Sequence, residues 1–280
     1  MNKLEKIDEI SCVIFNYLQL MLQEHGLDQD RISFKELRDL LNNGKIFTPE
    51  EFAYEVFYVI CVAGFKQDYA KKMCNNIINL IQSKNGLINI EDLNSIYGNK
   101  NKVKSIFNIW QNRESYQKKF YELENIGDKV NYLGTLPYVG NITKYHLARN
   151  LGLNFVKYDI WIQRLGVALY GNENLVNLVN NSKLLPEIKE ACDTMFENLH
   201  KLTLEKVGFI DVVLWRSCQK GLLVIDKKDV YVNTSAVTDG AIIKVGDNFY
   251  RAISGTDQDS YLLEKMELYK SDVELVEVEK

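Results

Sequence analysis

Thr48-Pro49-Glu50-Glu51, followed by the apolar stretch from Phe52 to Ala63, limits how this chain can fold more than any other segment. Threonine at an N-cap, proline in the first turn and two acids at the positive end of the helix dipole together start a helix firmly. The predicted helix, 50–63, then carries Phe52, Val56, Phe57, Val59, Ile60 and Val62 on nearly every side before Gly64 ends it. A helix with no polar face has to be surrounded by other elements. It cannot solve that problem by entering a bilayer. The longest nearly pure apolar run, Val56 to Phe65, is about half of the roughly twenty residues a membrane span requires.

The surrounding elements are predicted to be helices too. Only Pro49, Pro137 and Pro186 interrupt the chain, and 46% of its residues are apolar, the make-up of an ordered globular protein. A first helix is expected over 4–24, where Leu4, Ile7, Ile10, Ile14, Leu18, Met21 and Leu22 recur every three or four positions. Ser33-Phe-Lys-Glu36 is a capping box for a second, ending near Asn43. Further helices are expected at about 68–83, 91–96, 101–122, 125–134, 141–151, 159–170, 173–180, 186–200 and 203–219. No internal repeat is evident.

The texture changes after Gly221. Leu222 to Ile225, Val230 to Val232, Ala241 to Val245 and Phe249 to Ile253 are short β-type runs, with Gly246-Asp247 as a hairpin turn between the last two. A last helix is expected over 260–270, and the acidic end from Val273 to Lys280 is read as frayed or as an edge strand. The expected organisation is an N-terminal helical extension (1–45), a helical core (46–220) and an acidic α/β appendage (221–280).

Charge and cysteine usage narrow the function classes. The net charge of −4 is unevenly placed: residues 221–280 hold seven Lys/Arg against twelve Asp/Glu, so the remainder is close to neutral. Lys129, Lys144, Arg149, Lys157 and Arg164 fall within one stretch that contains a single acid, Asp159. A local basic face can contact phosphate on an overall acidic protein, although a solvated helix face has the same composition. Cys12, Cys61, Cys74, Cys192 and Cys218 form no C-x-x-C pair, so neither a metal site nor a disulfide framework is expected. No metal and no cofactor are expected. The N-terminus has no secretory pattern, and a cytoplasmic monomer is the expectation.

The segment from Gly127 to Leu165 carries the chemistry. Two short helices are predicted on either side of Leu136-Pro137-Tyr138-Val139-Gly140, followed by a short extended segment and Asp159. A tight turn of this kind can present backbone N–H groups to one phosphate. Gly140 would allow close approach, and the following helix N-terminus adds partial positive charge. The turn can equally be a plain helix connector, and Asp159 can equally be only an N-cap.

Together, the turn and Lys157-Tyr-Asp159-Ile-Trp-Ile-Gln-Arg164 resemble the helix-hairpin-helix DNA glycosylase superfamily. That family has Leu-Pro-Gly-Val-Gly in its hairpin and, about twenty residues later, an Asp followed by a helix carrying Arg. The resemblance covers roughly residues 46–220 and includes Asp211-Val-Val-Leu-Trp215-Arg216 near the end of the fold. It implies a mainly α fold of the helix-hairpin-helix glycosylase type with a small C-terminal β-containing appendage, and double-stranded DNA carrying a damaged or modified base as the partner. It also implies that Asp159 is the catalytic carboxylate, stabilising an oxocarbenium-like sugar while the base is held out of the duplex. DNA contacts are implied for Pro137, Tyr138, Val139, Gly140, Lys144, Lys157 and Arg164, with Gln67 as a wedge and Asp211 and Trp215 lining the base pocket.

Two departures from the family pattern shape the expected reaction. Ile142 stands where members that also cut the backbone have a Schiff-base lysine, so a monofunctional hydrolase is implied. Tyr138 replaces the first hairpin glycine. His146, beside Arg149 on the second helix of the hairpin, is expected at the surface. The sequence also resembles a looser branch linked to hypermodified phage bases, so antiphage excision stands beside repair. The other readings are a hypermodified-base processing protein, a non-catalytic helix-hairpin-helix DNA-binding protein and a helical scaffold unrelated to DNA.

Overall fold

The computed structural model describes residues 2–4, 9–29, 31–180, 183–227, 229–232, 242–245, 248–254 and 261–266. After strand β1 (Asn2–Leu4), helices α1 (Glu9–Glu24), α2 (Phe34–Asn43), α3 (Pro49–Val62), α4 (Gln67–Ser83), α5 (Ile90–Ile96), α6 (Lys100–Gln111) and α7 (Arg113–Glu122) follow in order. Next come α8 (Ile126–Leu133), α9 (Thr143–Asn150), α10 (Ile160–Tyr170), a 3-10 turn (Glu173–Leu178), α11 (Pro186–Thr203) and α12 (Val207–Gln219). Strands β2 (Leu223–Asp226), β3 (Asp229–Val232), β4 (Ile242–Val245), β5 (Asn248–Ser254) and β6 (Tyr261–Met266) complete the described chain. The fold is mainly helical with small antiparallel sheets.

The start signals read in the sequence act as expected. Ser33 and Thr48 both form reciprocal capping boxes, with Glu36 and Glu51 reaching back to the cap N–H. Helix α3 is central, with Phe52, Val56, Phe57, Val59 and Ile60 fully buried. The single helix expected over 101–122 is two, α6 and α7, which meet at Asn112. Its side-chain Nδ2 donates to Asn108 O, a local hydrogen bond of the kind that competes with helix continuation.

Buried apolar side chains form two clusters. One is built from α3 to α9 around Phe52, Phe57, Ile60 and Ile106. The other joins α1 and α2 to residues 156–232 around Phe15, Leu22, Phe196 and Phe209. Parts of the expected N-terminal extension, α1 and α2, pack on the later helices: Phe34 lies edge-on against Phe209 at 5.7 Å. The N-terminal strand reaches the same region, since β1 pairs antiparallel with β3, and β3 with β2. The first part of the expected appendage thus shares a core with the helices, through Leu223, Val230 and Val232.

Strands β4, β5 and β6 form a second antiparallel sheet in that order. Residues expected as a helix over 260–270 instead include β6, paired from Phe249↔Met266 to Ser254↔Tyr261. Here the open edge of β5 decides the conformation, a tertiary effect that local propensity does not carry. Gly246-Asp247 and the end from Val273 to Lys280 lie outside the described residues, although Val245 pairs with Asn248 across a two-residue connection. No helix among the described residues is long and apolar enough to cross a membrane.

Candidate functional site

The turn between α8 and α9 has the form that its sequence suggests. Val139 N–H donates to Leu136 O at 3.1 Å, with Pro137 second and Tyr138 third in the turn, and Tyr138 has φ 67°. Proline followed by a left-handed residue is the pattern of a type II turn, which normally takes glycine at that third position. Tyrosine there costs roughly 1–2 kcal/mol of backbone strain. Leu136 and Val139 are buried and hold the turn to the core, whereas Tyr138 and Gly140 face outward. A Cβ added to Gly140 would meet nothing within 4 Å, so open space lies over the start of α9.

The Tyr138 ring lies 5.6 Å from Lys102 Nζ, which also faces Phe65 at 4.4 Å. Lys102 is itself buried and donates to Ala63 O at 2.6 Å and Cys61 O at 3.2 Å, capping the C-terminal end of α3. Burial lowers its pKa. Lys144 is turned towards α8, with Nζ 3.5 Å from Asn131 Oδ1. Gln67 is the first residue of α4, and its side chain lies outside the described residues.

Asp159 is the N-cap of α10. Its Oδ1 accepts from Trp161 N at 3.0 Å and Ile162 N at 3.2 Å. Its Oδ2 faces Lys157 Nζ at 3.7 Å, and the side chain is 13% exposed. Lys157 Nζ also lies 5.6 Å from the Trp215 ring. The structure therefore brings Asp159, Lys157 and Trp215 together. Arg164 is not part of that group: it is exposed, with its guanidinium over Trp161 at 5.7 Å, and the cation beside Asp159 is Lys157.

Asp211, expected to line a base pocket, is buried inside the protein. It is 1% exposed and forms a short charged hydrogen bond with Arg149, which is itself buried. Its Oδ2 also accepts the Lys157 backbone N–H at 3.1 Å. Burial pushes the Asp211 carboxyl up to about 6, with the Asp159 charge adding to the rise and Arg149 opposing it. His146 is likewise not at the surface. It is 2% exposed and packs edge-on against Tyr58 at 5.8 Å. Burial first, then the Lys157, Arg149 and Arg31 charges, hold it well below the usual imidazole range, so it is neutral at pH 7.

These groups lie in sequence along the boundary between the two apolar clusters, because α9 supplies His146, Arg149 and Asn150 while α12 supplies Asp211. The seam continues to Glu55 on α3, a residue that sequence reasoning missed. Arg31 Nη1 pairs with Glu55 Oε1 at 2.7 Å, and the Glu55 side chain is only 5% exposed. Burial raises the Glu55 carboxyl to about 7, opposed by Arg31 and the nearby Asn150 amide. Glu55 Oε2 and Asn150 Nδ2 are close, yet neither makes a hydrogen bond of good geometry. A signal was available: Glu55 is the one charged residue within the all-round apolar stretch 52–63, where any side chain has to be buried or paired.

A cleft of about 250 Å³ opens beside Glu55, between Arg31 on one side and α3 and α4 on the other. A second of about 470 Å³ adjoins it and shares Arg31, Tyr54, Glu55 and Ile78. The family described as "Protein of unknown function (DUF3290)" matches residues 220–275. No curated protein and no solved structure matches the chain. The matched segment begins at the end of α12 and spans the strands that follow, so it does not include the hairpin, Asp159 or Glu55. Among the described residues no three His, Cys, Asp or Glu side chains are grouped to hold a metal ion.

Proposed function

We propose that the chain is a monofunctional DNA N-glycosylase of the helix-hairpin-helix type, acting on duplex DNA that contains a damaged or modified base. The observation that supports this reading is Asp159, held at the start of α10 with Lys157 beside it, on a chain whose 136–140 turn joins two helices with its third residue left-handed. The turn offers an outward left-handed residue and open space above Gly140, suited to a phosphate at the start of α9. Asp159 keeps one oxygen free of its capping role, and that oxygen can face a sugar on which positive charge builds as the glycosidic bond breaks. Lys157 beside it offers a charge for the neighbouring phosphate. Water rather than an amine is the nucleophile in this reading, since Ile142 has no group to form a Schiff base.

The test is base release. Protein incubated with DNA carrying candidate bases, in repair substrates and in hypermodified phage DNA, should leave alkali-labile sites, with the free base identified by mass spectrometry. Asp159→Asn should abolish them. Equal release by the variant would remove Asp159 from the chemistry. A second reading has its own support, because Asp159 Oδ1 is fully occupied as a cap, as in an ordinary helix start. That reading is a DNA-binding protein without catalysis, and it predicts salt-sensitive duplex binding with no base released from any substrate.

A further inference from the structure

The segment that ends in Asp159 is anchored by side chains of three later helices. Asp211 Oδ2, on α12, accepts the Lys157 backbone N–H at 3.1 Å. Gln163, buried in α10, donates from Nε2 to Tyr158 O at 2.8 Å. The Tyr158 hydroxyl donates to Asp193 Oδ1, on α11, at 2.5 Å. Lys157, fixed in this way at its backbone, places Nζ 3.7 Å from Asp159 Oδ2. Asp211 differs from the other anchors in being a buried charge. It is 1% exposed, one oxygen is shared between Arg149 and the Lys157 N–H, and the other, Oδ1, makes no hydrogen bond. Apolar residues of similar volume would often serve stability as well as such a pair, so stability alone does not account for it.

We infer that Asp211 is a positioning residue for Asp159 and makes the site depend on pH: its carboxylate holds the Lys157 N–H, which aims the Lys157 and Asp159 pair, and it balances the Arg149 charge behind them. The inference deepens the glycosylase reading and rests on it. Without the Lys157 N–H bond the 157–159 segment is free to shift, and a small displacement of a reacting group is expensive in rate. Protonation of Asp211 removes the counter-charge beside Arg149 and raises the positive potential behind a sugar on which positive charge has to form. The charged and titratable groups facing Asp211 are Arg149 on α9, Lys157 and Asp159 ahead of α10, and Cys192 on α11. His146, which faces Arg149 and Lys157 from α9, is neutral at pH 7. Base release is therefore fast with Asp211 ionised and slow with it protonated.

The test uses the full chain with duplex oligonucleotides carrying uracil, hypoxanthine, 5-hydroxymethyluracil or 5-hydroxymethylcytosine, and with hypermodified phage DNA. Alkali-labile sites are scored between about pH 5 and pH 7.5. Wild-type kcat on a cleaved substrate should fall as pH drops through about 6, where Asp211 takes up its proton. Asp211→Asn, which does not titrate, should stay at the low level across the range with KM unchanged. Arg149→Met with Asp211→Leu, which offers the Lys157 N–H no acceptor, should lose about tenfold or more in kcat at every pH. Its Lys157 amide should also exchange with solvent faster than in the wild type. If the double variant does not fold, Asp211→Asn decides. A wild-type pH profile retained by Asp211→Asn, or native kcat in a folded double variant, would overturn the assignment. The glycosylase reading survives either result if Asp159→Asn abolishes release. No release by the wild type from any of these DNAs sinks that reading and the inference with it.

Discussion

The Arg149 and Asp211 pair permits a quantitative test of the seam. Asp211 has a folded pKa near 6 against an unfolded value of 3.8, so the folded protein binds its proton more readily. Stability from this group is therefore complete below about pH 4 and is lost as pH rises through 6. Two pH units at about 1.4 kcal/mol each put the loss at roughly 3 kcal/mol. Asp211→Asn removes that slope: near pH 4.5, where Asp211 is itself largely protonated in the folded protein, it should cost only the altered hydrogen bonds to Arg149 and Lys157 N, about 1 kcal/mol, and the difference should move in the variant's favour by roughly 2 kcal/mol by pH 7.5. Replacing both, as Arg149→Met with Asp211→Leu, should likewise be free of the slope. Urea unfolding from pH 4.5 to 7.5, followed by tryptophan fluorescence, measures all three proteins. Glu55 contributes its own fall in stability towards pH 7, so the wild-type minus Asp211→Asn difference is the informative curve. An Asp211→Asn protein that keeps the full wild-type slope would refute the buried pairing and restore Asp211 as a pocket residue.

Two other substitutions probe the frame that holds the site. Gly166→Ala should destabilise by about 1–3 kcal/mol in thermal melts, because its Cβ would stand 2.6 Å from Cys192 Sγ and 2.9 Å from Cys192 Cα, forcing α10 off α11. Unchanged melting would mean that the two helices are not in such close contact. Tyr138→Gly should change stability by no more than about 0.5 kcal/mol, since the relief of left-handed strain is offset by loss of the ring near Lys102. A loss above about 2 kcal/mol would show that the ring, rather than Leu136 and Val139, holds the turn.

Local signals in the sequence were read correctly where the physics is local. Capping boxes at Ser33 and Thr48, the all-round apolar α3 and the helix pair around residues 136–140 depend on neighbours a few positions apart. What was not legible depends on distant segments. Residues 9–24 look like a detached amphipathic helix until α12 and α11 are placed beside them, and 261–266 look helical until β5 offers an edge. The candidate site divides in the same way. Asp159 and Lys157 are two positions apart and their proximity is written in the chain. Asp211 and His146 were misplaced because their burial is created by the meeting of α9 with α12 and α3, sixty or more residues away for Asp211. The apolar setting of Glu55 marks it as buried, but its partners Arg31 and Asn150 come from distant segments and are not written in the local sequence.

Asp159 is where the structural and catalytic accounts separate most cleanly, because capping and charge make different demands on the same side chain. Asparagine caps a helix about as well as aspartate, since either oxygen can accept the Trp161 and Ile162 N–H groups. Asp159→Asn should therefore keep stability to within a few tenths of a kcal/mol, whereas Asp159→Ala should lose about 1 kcal/mol. If the residue only caps, stability and every DNA readout should follow the same order, with asparagine near wild type. If its free oxygen also serves the sugar, the order splits, and asparagine is as inactive as alanine while melting like the native protein. Measured in parallel, denaturation midpoints and abasic-site yields for the two variants distinguish an ordinary helix start from a carboxylate held for chemistry.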